Sequence, residues 1–411
     1  MRLDPTLLAR ELAAFETQNT GRRRRLAEAF PEPGDPTAVR VGGKLLRNFC
    51  SNDYLGLSHH PELIRAANEC MSRFGFGAGA AHLVSGHSLE HHALERELAA
   101  FVGRERALLF SSGYMANLGV LGALTDRHDT VLADRLNHAS LLDAARLSGA
   151  RHRRYAHGDM AQAAQMLEAP RAHPDGSGPH RSNGGGGAST LIVTDGVFSM
   201  DGDLARLPEL VALAERHHCA LMVDDAHGLG VVGKTGRGTL EQAGIDPSAV
   251  SILVGTLGKA FGTFGAFVAA DANLIDYLIQ RARTYIYTTA LPPVVAAASR
   301  AGLRLAQEEG WRRERLHALT LRFRARASAL GVPLTTSTTP IQPVIAGEAA
   351  WALALSEALM NAGFWVAAIR PPTVPAGSAR LRITLSAMHR EQDVDALAAA
   401  LGALWHERSA A

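Results

Sequence analysis

The sequence predicts an α/β protein built on a mostly parallel sheet, with a smaller second domain towards the C-terminus. Strand-like apolar runs alternate with helical patterns between about residues 106 and 283. Residues 190–194 and 220–223 are mostly apolar, which is typical of parallel strands covered on both faces. Polar clusters follow these two runs at 195–203 and 224–228. Because ligands of such sheets bind beyond the carboxyl ends of the strands, these clusters predict a functional site.

Length and composition bound the class of protein. The chain has 411 residues, the usual length of about two to three domains, and 42 Lys plus Arg against 40 Asp plus Glu. This balance argues against a nucleic-acid-binding protein, and no apolar run approaches the ~20 residues of a membrane span. Cys50, Cys70 and Cys219 have no metal-ligand spacing and cannot all pair. We therefore predict no metal site and a reducing, cytoplasmic location.

The N-terminal region is predicted to form a helix and an arm. Residues 1–17 have an amphipathic helical pattern, which we expect to pack on the body of the protein or on a partner subunit. Scattered charges argue against a secretory signal. Arg22–Arg25 are predicted to form a solvated helix face, with an anion clamp for an acidic substrate or carrier as the alternative. Residues 44–49 alternate like a short strand and lead into the polar loop 51–57.

The central part of the chain alternates helices with strands. Helices are predicted at 62–73, 89–102, from 111–117 onwards, 141–147, 161–167 and 274–283. Strands are predicted at 106–110, 130–133, 151–155, 190–194, 220–223 and 264–269. The Gly-rich segment 170–189 cannot bury apolar surface, so we predict a flexible surface insertion there.

A second domain follows the central part. A long helical region is predicted at 294–330, then strands at 341–345, 365–369 and 380–385 and helices at 351–362 and 393–404. The predicted domains are an N-terminal helix and arm at 1–45, a large domain at 46–292 and a small domain at 293–411.

Lys259 lies among small and apolar residues in the segment 253–262, LVGTLGKAFG, where a strand pattern ends. Complete burial would lower the pKa of a lysine by up to ~3–5 units and favour the neutral, nucleophilic amine. Such an amine can form a Schiff base with pyridoxal phosphate. A loop lysine that projects into water is the alternative.

Other polar residues supply what this cofactor needs. The Asp224 carboxylate would pair with the pyridine nitrogen, and at ~4 Å this pair is worth about 4 kcal/mol, or roughly three pKa units. His227 would bond the ring oxygen, and His138 could lie over the ring face. Thr256 would bind the phosphate together with the helix N-terminus after Ser112, although that segment could equally be a plain strand-to-helix turn.

Six ordered motifs resemble the α-oxoamine synthases, which are pyridoxal phosphate enzymes of fold type I, the aspartate-aminotransferase fold. They are SNDYLGL at 51–57, SSGYMAN at 111–117, DRLNHASLLDAA at 134–145, DGVFSMDGD at 195–203, VDDAHGLG at 223–230 and TLGKAFG at 256–262. The similarity extends from about residue 12 to 403. AAIRPPTVPAG at 367–377 further resembles the branch that condenses L-alanine with a pimeloyl thioester in biotin biosynthesis.

The resemblance implies a pyridoxal phosphate-dependent acyltransferase with a mostly parallel large domain and a smaller α+β C-terminal domain. It also implies a homodimer with sites at the interface, because the arginine-rich N-terminal region and the Thr288–Thr289 turn resemble segments that meet a neighbouring subunit.

The resemblance further implies roles for single residues. Lys259 is expected to bind the cofactor covalently. The expected catalytic residues are Lys259, His138, Asp224 and His227. The other expected cofactor contacts are Ser112, Gly113, Tyr114, Ser199 and Thr256. The expected substrate-binding residues are Arg22, Asn52, His138, Thr373 and Arg382.

Several alternatives stay open at this point. An aminotransferase would use the same lysine and aspartate, a sister synthase would take glycine or serine, and a non-enzymatic ligand-binding α/β protein is a third class. The acyl carrier is either coenzyme A or an acyl carrier protein. The distal end of the acyl chain is either an acid or an ester.

Overall fold

The computed structural model describes residues 4–29, 35–168 and 189–410. The helices in these ranges are α1 (Pro5–Thr17), α2 (Pro61–Phe74), α3 (Leu89–Val102), α4 (Gly113–Leu124), α5 (Ala139–Leu147), α6 (Met160–Glu168), α7 (Leu207–Arg216), α8 (Thr239–Gln242), α9 (Ala272–Arg281), α10 (Arg283–Ile286), α11 (Pro293–Glu308), α12 (Trp311–Ala329), α13 (Ala349–Asn361) and α14 (Glu391–Ala410). The strands are β1 (Ala27–Ala29), β2 (Ala38–Val41), β3 (Lys44–Asn48), β4 (Arg106–Phe110), β5 (Thr130–Asp134), β6 (Arg151–Tyr155), β7 (Thr190–Asp195), β8 (Ala220–Asp224), β9 (Ile252–Thr256), β10 (Ala266–Ala270), β11 (Ile341–Gly347), β12 (Phe364–Trp365), β13 (Ala367–Ile369) and β14 (Ala379–Thr384). No helix in the described ranges is both long enough and apolar enough to cross a membrane. The predicted insertion at 170–189 lies outside the described residues, apart from Ser189.

The chain forms two compact units. The large unit comprises Leu57–Ser199 and Leu204–Arg313, and the small unit comprises Met1–Gly56, Met200–Asp203 and Glu314–Ala411.

This division differs from the predicted domain limits after residues 45 and 292. Residues 46–56 belong to the small unit, and α11 belongs to the large unit. A Cβ atom at Gly302 of α11 would lie 2.4 Å from the carbonyl oxygen of Phe261, so only glycine permits this approach. Val294 and Ala297 of α11 also form an apolar cluster with Cys70 of α2. These contacts keep α11 with the large unit.

Seven described strands form the sheet of the large unit, in the order β4-β10-β9-β8-β7-β5-β6. Only β10 runs antiparallel to its two neighbours, so the prediction of a mostly parallel sheet is confirmed. The two apolar runs predicted as central strands, β7 and β8, lie side by side and are almost wholly buried. Helices α4, α5 and α9 bury their apolar faces against this sheet.

The small unit contains two sheets among its described residues. One is a four-stranded sheet in the order β1-β2-β3-β12, and the other is an antiparallel sheet in the order β11-β14-β13. The strand predicted at 365–369 is divided between them. Residues 364–365 pair with β3, and residues 367–369 pair with β14. The predicted smaller α+β domain is confirmed, and this segment links its two sheets.

The N-terminal helix differs from its prediction. Helix α1 is capped by Asp4, whose side chain accepts the Thr6 N–H, but none of its side chains is buried. Leu8, Leu12 and Phe15, which share one face, are 41%, 64% and 48% exposed. The expected packing of this helix on the body of the chain is therefore not found among the described residues.

The interpretation of Arg22–Arg25 as a helix face is wrong. Helix α1 ends at Thr17, and Asn19 takes a positive φ of 55°. The N–H groups of Thr20 and Gly21 both donate to the Phe15 carbonyl, which closes the helix before the arginines. The four arginines follow in non-helical chain.

Candidate active site

Polar side chains meet at the carboxyl end of the large sheet. Asp195 and Asp224 are the last residues of β7 and β8, and the strand register sets them directly opposite each other. Lys259 follows β9, the next strand in the sheet. The structure therefore brings together residues that three separate parts of the sequence supply.

The amine of Lys259 lies 2.8 Å from Nε2 of His227. Lys259 is half-buried, whereas His227, three residues after Asp224, is buried. A tight turn holds the lysine, since Gly262 N–H donates to the Lys259 carbonyl at 2.9 Å and Gly262 has a φ of +71°. The amine is thus fixed beside an imidazole rather than projecting freely into water.

Asp224 is held by two donors. Its Oδ2 accepts from the Asn117 side-chain amide at 2.7 Å, and its Oδ1 accepts from the Ala226 N–H at 3.1 Å. The Asn117 amide also donates to Ser140 Oγ at 2.8 Å. Ser140 Oγ in turn lies 2.7 Å from Nδ1 of His138. One chain of hydrogen bonds therefore fixes both Asp224 and the His138 ring.

His138 caps the N-terminus of α5. Its Nδ1 accepts from the Ser140 N–H at 3.3 Å, so the ring carries its proton on Nε2 when neutral. Desolvation by the surrounding chain lowers the pKa of His138 even though part of the ring is exposed, and this favours the neutral form. The exposed ring is free to stack on a planar group.

Asp195 positions the backbone of His138. Its Oδ2 accepts the His138 N–H at 2.7 Å. Burial, followed by the proximity of Asp224, raises the pKa of Asp195 well above its usual range. Asp195 therefore acts as a hydrogen-bonding anchor for the segment that carries His138.

The N-terminus of α4 supplies free backbone donors. Ser112 is the N-cap residue, and its Oγ accepts the Met115 N–H at 3.3 Å. A Cβ atom at Gly113 would have no neighbouring heavy atom within 4 Å. The Tyr114 hydroxyl donates to Asp143 of α5, a bond that raises the pKa of this tyrosine. This helix end is open above its first turn.

The two remaining hydroxyl candidates belong to the same unit, Thr256 as the last residue of β9 and Ser199 in a loop. Thr256 Oγ1 donates to the Gly265 carbonyl at 3.0 Å and accepts the Gly258 N–H at 3.3 Å. Its hydroxyl hydrogen would have to turn away from Gly265 to reach a phosphate. Ser199 lies in the loop between β7 and α7 and is half-buried.

The small unit holds the remaining expected substrate residues. Arg382 of β14 is buried and donates to Asn52 Oδ1 at 3.2 Å. Arg22 donates to Thr373 Oγ1 at 3.4 Å. The neighbouring Arg23 instead pairs with a carboxylate of α1 at 3.1 Å, so the arginines of this run have different partners. His138 belongs to the large unit.

Two residues of the hydrogen-bonding chain were not predicted from the sequence. Asn117 and Ser140 are completely enclosed, and both contact groups that were predicted. A buried amide in the otherwise apolar helix GYMANLGVLGAL is the signal that could have identified Asn117. No comparable signal marks Ser140, because a serine near a helix N-terminus is common.

The residues of the large unit fit pyridoxal phosphate. An amine at Lys259 suits the aldehyde, and the buried carboxylate of Asp224 suits a protonated ring nitrogen. The N-terminus of α4 suits the phosphate.

Comparison with known proteins agrees with this fit. The family of class I and II aminotransferases matches residues 46–401. The 8-amino-7-oxononanoate synthase of Methylococcus capsulatus is 57% identical over 401 residues, which cover 98% of this chain and 98% of that protein.

Solved structures resemble most of the chain. A serine palmitoyltransferase (SPT) with pyridoxal phosphate (PLP) superposes with a TM-score of 0.88 at 28% identity. The match covers 98% of this chain and 97% of that one. The 8-amino-7-oxononanoate synthase of Francisella tularensis has a TM-score of 0.75 at 31% identity, covering 89% and 99%. The predicted fold type I and the predicted pyridoxal phosphate cofactor are confirmed. This chain therefore belongs to the 8-amino-7-oxononanoate synthases, acyltransferases that depend on pyridoxal phosphate.

Proposed function

We propose that the chain condenses L-alanine with a pimeloyl thioester to give 8-amino-7-oxononanoate, a step of biotin biosynthesis. The Cα of alanine bonds to the acyl carbonyl carbon, the C–S bond breaks to release the thiol, and the alanine carboxyl group leaves as CO2. Lys259 contacts His227, and it follows β9, the strand beside the one that ends at Asp224. This arrangement is the observation that supports the chemistry best. The 57% sequence identity with a relative named 8-amino-7-oxononanoate synthase supports the choice of this reaction.

Each polar residue of this site in the large unit would have its own role in this reaction. When bound, pyridoxal phosphate supplies an aldehyde that captures amines and a ring that accepts electron density. Lys259 would remove the proton from the alanine Cα and later return one. His227, 2.8 Å from the lysine amine, would orient that amine and bond the ring oxygen. Asp224 would keep a proton on the ring nitrogen, and the exposed ring of His138 would stack on the cofactor.

Phosphate binding would fall to the residues around the open end of α4. Ser112, Gly113 and Tyr114 begin this helix, whose free N–H groups favour an anion. Ser199 and Thr256 would add hydroxyl groups.

The small unit would contribute substrate contacts. A guanidinium group can hold a carboxylate through two parallel hydrogen bonds, and Arg382 is already oriented by Asn52. We propose that Arg382 and Asn52 bind a carboxylate of the substrate. Arg22 and Thr373, which bond each other, would contact a second polar part.

A related activity with serine as the amino acid is the second candidate, because serine palmitoyltransferase of Sphingomonas wittichii superposes with a TM-score of 0.89 at 30% identity.

The test is a competition in which the purified holoenzyme receives equal concentrations of alanine, glycine and serine. Pimeloyl-CoA or pimeloyl acyl carrier protein is added, each as the free acid and as the methyl ester. Mass spectrometry should find the alanine-derived product and CO2 from the alanine carboxyl carbon. A product from glycine or serine, or amino-group exchange with a keto acid, would overturn the proposal.

We also propose a homodimer with its sites at the interface. The exposed apolar face of α1 at Leu8, Leu12 and Phe15 supports this proposal, as do the predicted roles of the N-terminal arm and of the Thr288–Thr289 turn. Sedimentation velocity at dilute concentration should find a dimer. Leu12→Asp should weaken the dimer by at least about tenfold if that leucine is buried between subunits. Thr17→Asp, on the opposite side of α1, is the matched control, and a fully active monomer would contradict the proposal.

We propose a cytoplasmic location, and the state of the cysteines is the basis for this proposal. Cys50, Cys70 and Cys219 are all thiols rather than members of a disulfide, which suits a reducing compartment.

A further inference from the structure

Three histidines converge before and within the first turn of α3. His82 begins the π-helical turn His82–Gly86, His87 follows that turn, and His91 lies in α3. One ring nitrogen from each histidine lies within 4.8 Å of the other two. His82 and His91 are buried, whereas His87 is exposed. None of these residues belongs to the site described above.

The hydrogen bond between two of these rings is unusual. Nδ1 of His82 lies 3.0 Å from Nδ1 of His87. A neutral imidazole carries one proton, so only one of these nitrogens can donate and the other must accept. Two nitrogens bound to one zinc ion at ~2.0–2.1 Å are about 2.9–3.4 Å apart. The separation of the two rings therefore suits a shared ion as well as a shared proton.

Hydrogen bonds fix the position of the proton on the third ring, that of His91. Nε2 of His91 contacts the Leu291 carbonyl at 2.5 Å, and because a carbonyl oxygen only accepts, Nε2 must carry the proton. Nδ1 of His91 therefore carries the lone pair. It accepts a hydrogen bond from the Ser88 N–H at 3.0 Å and another from the Ser88 hydroxyl at 2.8 Å. An ion would take over this lone pair, while the bond to Leu291 would keep the ring in place.

His87 also has an acidic neighbour, Glu95, near its second ring nitrogen. Oε2 of Glu95 lies 3.9 Å from Nε2 of His87, and Oε1 of Glu95 accepts the Leu109 N–H at 3.0 Å. A carboxylate or carbonyl that faces the second nitrogen of a histidine is typical of metal sites, where it fixes the ring and makes it a stronger ligand. Two of the three histidines have such a partner.

We propose that His82, His87 and His91 bind one divalent first-row transition-metal ion, with Zn²⁺ as the expected ion. Three imidazole ligands favour zinc over Mg²⁺ or Ca²⁺, which prefer oxygen. The fourth position is left to water on the exposed side of His87. The spacing of the cysteines predicted no metal site, and these histidines meet only through the π-helical turn.

Binding would tie the π-helical turn to α3 and, through Leu291, to the chain that precedes α11. An ion that binds only the folded chain raises its melting temperature, and the gain grows with the free ion concentration. The predicted role is therefore structural.

The test is titration of the untagged holoenzyme with Zn²⁺ by isothermal calorimetry, together with a thermal melt. We expect one saturable site per chain and a higher melting temperature with zinc. His87→Ala, at an exposed residue, should weaken zinc binding by at least about tenfold, and Glu95→Gln should weaken it by about 10–100-fold.

His92→Ala is the matched control, because His92 is an exposed neighbour on α3 that is not part of the cluster, and this variant should bind zinc like the parent. Equal zinc affinity in His87→Ala and the parent would overturn the proposal, as would the absence of a saturable site.

Discussion

Replacing Lys259 by alanine should lower turnover by at least about 10⁴-fold, the upper part of the range for a positioned acid–base group. The expected loss is this large because Lys259 would both hold the cofactor and move the Cα proton. The chain has only two other lysines, Lys44 and Lys234. Lys44 donates to Asn361 in the small unit, so it is engaged elsewhere. Turnover is measured as CO2 release from alanine labelled at its carboxyl carbon.

Lys234→Ala is the matched control for this experiment. Lys234 is exposed in a turn, so its loss should leave turnover within about twofold of the parent. Far-UV circular dichroism of both variants checks that they fold. If Lys259→Ala kept turnover within tenfold of the parent, the assignment of the lysine would be wrong.

Changing Asp224 to asparagine should lower turnover and Cα–H exchange of alanine by about 10³-fold while the cofactor stays bound. The substitution preserves shape but removes the charge that would keep the ring nitrogen protonated. That charge is worth about 4 kcal/mol at ~4 Å, roughly three pKa units. Stopped-flow absorbance and deuterium exchange at the alanine Cα measure the two rates.

Asp225→Asn is the control for charge at this strand end. The Oδ2 atom of Asp225 accepts the Thr239 N–H at 2.7 Å, and burial raises the pKa of Asp225 to about 7. Asp225 is packed among glycines, since Cβ atoms at Gly228 and Gly238 would lie about 2 Å from its carboxylate oxygens. We expect the turnover of this variant to stay within about tenfold of that of the parent protein. A near-normal exchange rate in Asp224→Asn would instead make Asp225 the partner of the ring nitrogen.

Local signals in the sequence predicted much of the fold. The limits of α3 and β4 agree with the prediction to the residue. Helix α3 begins after Ser88, which caps it, and ends at Gly103, which takes the left-handed conformation with a φ of 70°. These limits are set by neighbouring residues, so the sequence is sufficient to locate them.

Features that depend on distant contacts were not predictable in the same way. Asn117 and Asp224 are 107 positions apart and meet only because α4 packs over the sheet. The strand predicted at 365–369 is divided because its two halves have different partner strands. The helical interpretation of Arg22–Arg25 failed for a local reason, because it rested on the four basic residues alone, and the chain after the turn at Asn19 is not helical.

The identity of the cofactor-binding lysine is tested most directly by reduction of the holoenzyme with borohydride, followed by peptide mapping. Reduction fixes the cofactor to the amine that holds it, and three lysines give three distinguishable peptides. We expect the pyridoxyl group on Lys259, the lysine 2.8 Å from His227. A pyridoxyl group on Lys44 or Lys234 would contradict the assignment of the site.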